Sequence, residues 1–433
     1  MSDVLQQAKR AAQQAELFST SFESMDASFE ANRLKAVHAR QSSGRALRLI
    51  KEGRLGFAST TRPGDDSDLL GMALEVASLG NEAAFRLPAL NSFPSVEVYD
   101  AATEAVSMDD MANLGQKLID AVRQGWPEVQ CEAQVGRSLS SIEIHNTEGS
   151  QASYRKSVFY MSIEGVLIRG TDMLFVGESR SSCQPFPYPE DIVAEVREQL
   201  ERARDTAPGF SSGLYPVVFT PRGLSSAFMF PLMTALNGRT VIQGASPLEG
   251  KLGQAVFDPK VTLVDDPTLR YRPGSRMCDD EAVPCQRTPL IQAGVPVSFL
   301  YDLETAAKAK AKSTASAHRT LDSLPSPGAS NLVLASGSAT MHDIIGDMKE
   351  GLVVDILMGA GQGNILGGEF SGNVLLGYRV QNGKIIGRVK DTMVSGNVFQ
   401  LLKDVTLGSP ARWVGGQWLL PPVLCPKVNV ASR

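Results

Sequence analysis

One hairpin signal constrains the fold of this chain more than any other part of its sequence. Asn382-Gly383 lies between two segments in which apolar residues alternate with other residues. Asn-Gly is the dipeptide that type I′ hairpin turns favour, because both central residues of that turn need a positive φ. The alternating positions are Val374, Leu376, Tyr378 and Val380 before the turn, and Ile385, Gly387 and Val389 after it. The pattern predicts two antiparallel strands, each with these residues on one face.

The segment before the hairpin is rich in glycine, which excludes a helix there. The seven glycines are Gly359, Gly361, Gly363, Gly367, Gly368, Gly372 and Gly377. Such a run predicts backbone that turns sharply or that other backbone approaches closely. The residues leave two interpretations open. Either the approaching backbone belongs to a peptide or a second subunit, or the glycines only pack tight turns.

Composition bounds the class of protein. With 433 residues, of which 43% are hydrophobic and 21% charged, the chain has the composition of a globular protein large enough for two domains. The helix-breaking segment 208–213 predicts a boundary between a domain at 1–207, with possible subdomains 1–95 and 96–207, and a domain at 208–433. A net charge of −5 argues against direct nucleic-acid binding, which needs a basic surface.

Cysteine usage and the absence of apolar runs predict a soluble cytoplasmic protein with no membrane partner. The chain has five cysteines, an odd number, and no C-x-x-C pair, which favours reduced thiols over a disulfide framework. The first residues, MSDVLQQAKRAAQQAELF, contain no apolar core of a signal peptide. No apolar run is long enough to span a bilayer.

Periodicity along the chain predicts an α+β fold. The N-terminal domain is expected to combine an antiparallel sheet with helices, and the C-terminal domain to be predominantly β, barrel-like or a sandwich, with a few helices. The last segment, LLPPVLCPKVNV, is expected to be an extended edge, because proline cannot donate to a strand ladder. The helical patterns cover residues 4–15, 66–79, 108–122, 190–207 and 223–236.

The glycine-rich segment and the hairpin resemble the C-terminal signature of the TldD/PmbA family, the predicted modulators of DNA gyrase. The shared residues are GLVV, GNILGGEFSGNVLLGYRVQNGKI and VSGNVFQLLKDV. The chain departs from the family pattern at Gly367, where Thr is usual, and at Glu369, where Asp is usual. Residues 43–61, HNTEG with Tyr154, and residues 313–319 resemble further family segments, although the last lacks the usual Gly-Asn.

The resemblance also implies where a zinc site would lie. In the TldD branch of the family, a helix carries H-E-x-x-x-H, and the two histidines and a later cysteine hold zinc. Alignment on SPLEGKLG puts Met229, Phe230 and Thr234 in the three helix positions, and the segment TLGSPARWVGG contains no cysteine. The chain therefore resembles the PmbA (TldE-like) branch, with no metal, no cofactor and no catalytic residue assigned.

The implied function is that of a non-catalytic subunit. It would pair as a heterodimer with a TldD-like zinc metalloprotease, or form a homodimer, and help to process or degrade unfolded peptides. The residues expected to shape a peptide channel or the interface are Asn364, Gly367, Gly368, Glu369, Phe370 and Ser371. Two alternatives remain open: an autonomous peptidase or other hydrolase with unrecognised catalytic groups, and a scaffolding homodimer.

Other catalytic motifs are weaker. Gly209-Phe210-Ser211-Ser212-Gly213 matches the G-x-S-x-G elbow, but the expected order of strand and helix around it is reversed. Residues 361–367 miss G-x-G-x-x-G by one position and lead into a hairpin, which argues against a dinucleotide site. Cys278 and Cys285 flank three acidic residues without a second ligand pair, so we expect a solvated acidic loop.

Overall fold

The computed structural model describes residues 3–62, 64, 66–186 and 190–432. It has the α+β architecture that the sequence predicts, with an N-terminal antiparallel sheet and a β-rich C-terminal region. The N-terminal elements are α1 (Asp3–Ala11), β1 (Gln14–Glu30), β2 (Arg33–Lys51), β3 (Arg54–Thr60), α2 (Asp66–Leu79), α3 (Ala101–Ala105), α4 (Met108–Arg123), β4 (Gln130–Asn146), β5 (Gln151–Arg169), β6 (Asp172–Ser182) and α5 (Glu190–Arg202).

The C-terminal region is built mainly of short strands. Its elements are β7 (Gly213–Phe219), α6 (Pro221–Leu224), a π-helical turn (Ser225–Met229), α7 (Phe230–Leu236), α8 (Gly238–Ile242), β8 (Leu263–Asp265), β9 (Thr288–Gln292), β10 (Val295–Pro296), α9 (Leu303–Lys308), β11 (Ala317–His318), β12 (Ser326–Pro327), β13 (Leu332–Leu334), β14 (Ala339–Thr340), α10 (Met341–Gly346), β15 (Glu350–Met358), a 3₁₀ turn (Ala360–Gln362), β16 (Glu369–Gln381), β17 (Lys384–Arg388), β18 (Thr392–Asn397), α11 (Val398–Leu401), β19 (Thr406–Ser409), β20 (Arg412–Val414), β21 (Trp418–Leu420) and β22 (Val423–Ser432).

The N-terminal sheet contains, in the described part of the chain, six antiparallel strands in the order β3-β2-β1-β4-β5-β6. Strands from both sides of residue 95 therefore belong to one continuous sheet. The division at 207/208 remains a prediction, and one hydrophobic core joins α4 and α5 to residues 353 and 376–380 beyond it.

Helices cover one face of this sheet at both of its ends. α4 and α5 pack at one end, and α1 and α2 pack at the other. α4 begins with Ser107 in a reciprocal capping box with Asp110, which satisfies two backbone donors at its first turn. Among the described residues, no helix is both long enough and apolar enough to cross a bilayer.

Five strands of the C-terminal region form a barrel, in the order β7-β15-β16-β18-β22, which pairing of β22 with β7 closes. The predicted hairpin is confirmed: β16 pairs with β17 from Gln381 and Lys384, and both turn residues have a positive φ. The expected single face is wrong on both arms. Before the turn, Val374 lies in the barrel core, whereas the three later residues pack outside, because the register shifts by one residue at Leu375. After the turn, Ile385 packs outside and Val389 lies in the barrel core, because the register shifts again at Ile386.

The C-terminal segment is not the edge that its prolines predict. β22 pairs with β18 on one side and with β7 on the other. The register of the pairing with β7 shifts between Cys425 and Val428, so Pro426 lies in an irregular stretch where a missing N–H removes no regular ladder bond. Proline is therefore tolerated in a strand that closes the barrel.

Candidate functional site

The helical segment 221–236 carries the three positions at which the family resemblance places two zinc ligands and a glutamate. Thr220 caps its start by accepting a hydrogen bond from Gly223 N at 3.2 Å, and its hydroxyl donates to Asp355 at 2.6 Å. Pro221 occupies the first turn, where its missing N–H costs nothing. The segment then passes through the π-helical turn Ser225–Met229 before α7, a local irregularity that is frequent at functional sites.

The three side chains at those positions do not suit a zinc ion. Met229 is 1% exposed and lies in the C-terminal core, while the neighbouring Phe230 is 57% exposed and its ring has no donor atom. The Thr234 hydroxyl donates to the backbone oxygen of Phe230 at 2.9 Å. No group of three His, Cys, Asp or Glu side chains that could hold a metal ion occurs in the described residues.

The glycine-rich loop lies directly against this helix. The 3₁₀ turn of the loop contacts the π-helical turn. Phe370 anchors the strand that follows: its ring centroid lies 5.8 Å from that of Phe228 and 6.1 Å from that of Phe219. The structure thus brings together two groups of residues that are separated by more than a hundred positions. We call residues 221–236 and 359–371 the loop–helix site.

Three of the six candidate residues pack against neighbouring side chains. Phe370 is buried among aromatic rings. Gly368 has φ +80°, and a Cβ there would lie 2.3 Å from the Phe399 ring. A Cβ at Gly367 would lie 2.5 Å from the amide nitrogen of Asn364, the end of an exposed side chain that can move aside. Tight packing therefore accounts for Phe370 and Gly368, but it does not require glycine at position 367.

The other three candidates are exposed at the surface of the loop and barrel. The Asn364 side chain accepts a hydrogen bond from Gly367 N at 3.1 Å and holds the turn. Glu369 and Ser371 lie on the exposed face of β16, opposite Asn397 and Ser395 of β18. Sequence reasoning missed two exposed apolar neighbours in the same segment, Met358 and Leu366, because nothing in an apolar run distinguishes an exposed member from a buried one.

The histidines of the chain do not gather at the loop–helix site. His38 Nδ1 lies 3.1 Å from a carboxylate oxygen of Asp26 on the N-terminal sheet. His318 contacts Arg276 at 2.9 Å, and burial together with that cation lowers the pKa of His318 well below its usual range. A neutral, buried imidazole suits a structural role better than that of a general base.

The acidic loop between Cys278 and Cys285 is buried, so the expectation of a solvated loop is wrong. Asp279 accepts hydrogen bonds from its own loop and from Ala317 N at 3.1 Å. Glu281 accepts from Arg48 of β2 at 2.6 Å and from Leu303 N at 2.7 Å. The acidic residues therefore bind the C-terminal region to the N-terminal sheet.

A second carboxylate and a second guanidinium complete this arrangement, which we call the junction network: Glu16, Arg48, Glu281 and Arg319. Arg48 donates to Glu16 at 3.1 Å, and Arg319 lies 3.0 Å from Glu16 and over the Phe18 ring. Although burial opposes it, the two carboxylates raise the pKa of Arg48 above its usual value. All four side chains are buried, and their formal charges balance.

Comparison with known proteins identifies the family. The model of the PmbA/TldA metallopeptidase C-terminal domain matches residues 212–432, and the model of domain 1 of the same family matches residues 15–79. A protein of Methanothermobacter thermautotrophicus named a metalloprotease is 27% identical over 393 residues, 88% of this chain and 84% of its own length. A metalloprotease of Archaeoglobus fulgidus is 30% identical over 66% of this chain and 69% of its own.

A solved structure shares the whole fold. The crystal structure of TldE from Thermococcus kodakarensis superposes with a TM-score of 0.89, covering 99% of each chain at 23% identity. At that identity the likeness establishes the fold, and the function has to be argued from the residues of this chain.

Proposed function

Because the chain belongs to the TldD/PmbA family, we propose that it is a non-catalytic subunit that pairs with a TldD-like zinc metalloprotease and assists in processing or degrading unfolded peptides. The observation that carries the proposal is the donor set on the helical segment 221–236. At the positions of the family's H-E-x-x-x-H motif, the chain has a buried thioether, an exposed phenyl ring and a hydroxyl bonded to its own helix. None of these can activate a metal-bound water.

The surface of the loop–helix site supports a pairing role. Phe230 and Leu366 are exposed apolar residues within it, and exposed apolar surface favours a protein–protein contact. Asn364, Glu369 and Ser371 are exposed polar residues of the same site, and protein–protein interfaces usually combine apolar residues with such polar groups. The partner would supply the metal ion, and this chain would supply a wall of the peptide channel.

Co-purification tests the proposal. The tagged chain is expressed together with a family member from the same source that carries H-E-x-x-x-H. We expect the two chains to elute together, with zinc and EDTA-sensitive cleavage of unfolded casein in the complex. The isolated chain is expected to hold no stoichiometric zinc and to cleave nothing.

A pair of matched variants locates the contact. Phe230→Ser removes an exposed ring from the loop–helix site, whereas Leu79→Ser removes the 90% exposed Leu79 from α2. We expect the first to weaken pairing by roughly tenfold or more, the effect of losing about 1.4 kcal/mol. The second should leave pairing unchanged.

Two results would contradict the proposal and identify its alternatives. Stoichiometric zinc or EDTA-sensitive turnover by the isolated chain would establish an autonomous peptidase. A stable homodimer that recruits no second family member would establish a scaffold.

A further inference from the structure

β2 has a long free edge in the N-terminal sheet. It runs from Arg33 to Lys51 and pairs with β1 along this length. On its other side, β3 pairs only with residues 45–51. No strand of the described residues pairs with the outer side of residues 33–44.

The backbone groups that face outward can be assigned from the turns. Glu52 and Gly53, both with positive φ, form a two-residue loop closed by the pair Lys51 and Arg54. The closing pair of such a loop is hydrogen-bonded, so Lys51 faces β3 and alternate residues before it do the same. In agreement, the carbonyl of Ala36 faces β1, where it accepts a hydrogen bond from the Ser28 hydroxyl at 3.3 Å.

Beyond the end of β3, the same alternation leaves four residues without a partner strand. Their N–H and C=O groups point away from β1, and they are Val37, Ala39, Gln41 and Ser43. Within the described residues, none of these groups has a backbone hydrogen bond outside the strand pairing. The edge therefore offers an extended row of donors and acceptors, which is what an added strand recognises.

The side chains of this edge carry one sign of charge. Residues 33–45 include Arg33, Lys35, Arg40 and Arg45 and no acidic residue. The acids of β1 already have partners: Glu30 pairs with Lys35, Asp26 with His38, and Glu23 with Arg137. Arg33 and Arg40 form no ion pair with any described residue.

Charge on an edge strand also protects it against aggregation, but two features of this edge are not explained by protection alone. Protected edges are usually short or interrupted, and this one is continuous from residue 36 to residue 44. Leu34 and Val37 expose 48% and 49% of their surface beside it. Exposed aliphatic side chains beside free backbone groups favour an occupant rather than a repellent edge.

We propose that the free edge of β2 binds an extended acidic peptide segment as an additional strand of the N-terminal sheet. Backbone hydrogen bonds to Val37, Ala39, Gln41 and Ser43 would hold the segment, and its carboxylates would face Arg33 and Arg40. A second copy of this chain is the less favourable occupant, because antiparallel self-pairing would bring two basic edges together. The inference does not rest on the proposed pairing function, since the edge belongs to the N-terminal sheet.

Fluorescence anisotropy with two labelled peptides tests this site on the full-length chain. The probes are acetyl-(Thr-Glu)₅-amide and acetyl-(Thr-Lys)₅-amide. We expect the glutamate peptide to bind and to weaken as salt is raised, because the opposed charges are exposed. The lysine peptide should not bind.

Two kinds of variant distinguish the contribution of backbone hydrogen bonds to peptide affinity from that of side-chain charge. Ala39→Pro removes one outward N–H that has no backbone partner among the described residues, so we expect a loss of roughly tenfold in affinity at an unchanged Tm. Ala39→Val is its control, because it keeps the N–H and should bind normally. Arg33→Glu with Arg40→Glu leaves the backbone intact and should transfer the preference to the lysine peptide.

Three outcomes would overturn the assignment. The first is that neither peptide binds, and the second is that the double charge reversal leaves the preference for the glutamate peptide unchanged. The third is a homodimer in sedimentation that Ala39→Pro dissociates, since a second copy would then occupy the edge. Phe230→Ser should bind the glutamate peptide normally, which keeps this test separate from that of pairing.

Discussion

The loop–helix site and the junction network differ in where the chain places its charge. At the loop–helix site, the positions at which the family resemblance places the metal-binding motif carry apolar or neutral side chains, and Phe230 is exposed. In the junction network, four charged side chains are buried, and one of them, Glu281, belongs to the acidic loop that the sequence predicts to be solvated. The first region exposes apolar surface, and the second removes charge from water.

The two regions also differ in what stabilises them: the junction network depends on contacts between residues that are far apart in the sequence. Arg48 and Glu281, whose side chains meet at 2.6 Å, are 233 positions apart. A buried carboxylate is tolerated only with such a partner, because desolvation of an unpaired charge is costly. The junction network therefore depends on the N-terminal sheet and the C-terminal region being packed together, whereas the surface of the loop–helix site depends on a partner outside the chain.

The largest expected effect comes from breaking the junction network. Arg48→Met removes the cation that contacts both Glu16 and Glu281 and leaves two buried carboxylates, of which Glu16 keeps Arg319 at 3.0 Å. We expect the free energy of unfolding to fall by about 3–5 kcal/mol, since one partner of a buried ionic group is lost. Chemical denaturation followed by circular dichroism measures the change.

A matched arginine at the surface provides the control. Arg169 lies 3.9 Å from Glu128, and both side chains are about half exposed. Arg169→Met should change the free energy of unfolding by no more than about 1 kcal/mol. Equal effects of the two variants would mean that the junction network is hydrated, and the contrast between the two regions would disappear.

Local patterns in the sequence were sufficient for elements whose cause is local. The hairpin at Asn382-Gly383 follows from a turn that needs two positive φ values, and the helix Asp66–Leu79 follows from its apolar spacing. The α4 cap at Ser107 is likewise set by residues within one turn. Each of these can be predicted because its determinants are neighbours in the chain.

Features that depend on distant contacts could not be predicted in this way. Pro426 indicated an edge, but β7 supplies a second neighbour for β22 and the register shift accommodates the ring. The sequence around Asp279 and Glu281 predicts a solvated loop, because their partners Ala317 and Arg48 are distant in the chain. Among the candidate site residues, Phe370 and Gly368 are packed in the interior, whereas Glu369 and Ser371 are exposed. The sequence pattern does not distinguish these two pairs, because the packing partners lie elsewhere in the chain.

An intermediate effect is expected inside the glycine-rich loop, where packing and function compete as explanations. Gly368→Ala introduces a Cβ that would meet the Phe399 ring at 2.3 Å, on a backbone with φ +80°. Strain of this kind costs about 1–3 kcal/mol, and we expect a loss of about 2 kcal/mol in the free energy of unfolding. Thermal unfolding with calorimetry measures it.

Gly361→Ala is the control in the same loop, because no atom of the part of the chain that the structure describes lies within 4 Å of a Cβ at that position, other than atoms of the glycine and its chain neighbours. Its stability should stay within about 0.5 kcal/mol of the parent. Unchanged stability of Gly368→Ala, combined with lost pairing, would show that this glycine serves a partner rather than the fold. The packing explanation of the loop would then be wrong.

The smallest expected effect is the reactivity of the thiols that border the junction network. All five cysteines of the chain are free and buried. Burial raises the pKa of Cys131 and of Cys183 to about 11, and that of Cys285 to about 12. At pH 8 each of these thiols is protonated and shielded, so we expect no rapid reaction of the native chain with an aromatic disulfide reagent. Denaturant should release all five.

The reactivity of Cys278 and Cys285 tests whether the acidic loop is shielded from water, because these thiols flank the buried acidic residues Asp279 and Glu281. Two thiols that react at once in the native chain would mean that the loop is open to water. Slow reaction that follows the rate of local opening is the expected result. Arg48→Met should speed the modification of Cys278 and Cys285 more than that of Cys425, which lies in the barrel core, away from the junction network. Equal acceleration of all three thiols would indicate global unfolding, and the junction network would then have no local stabilising effect on the acidic loop.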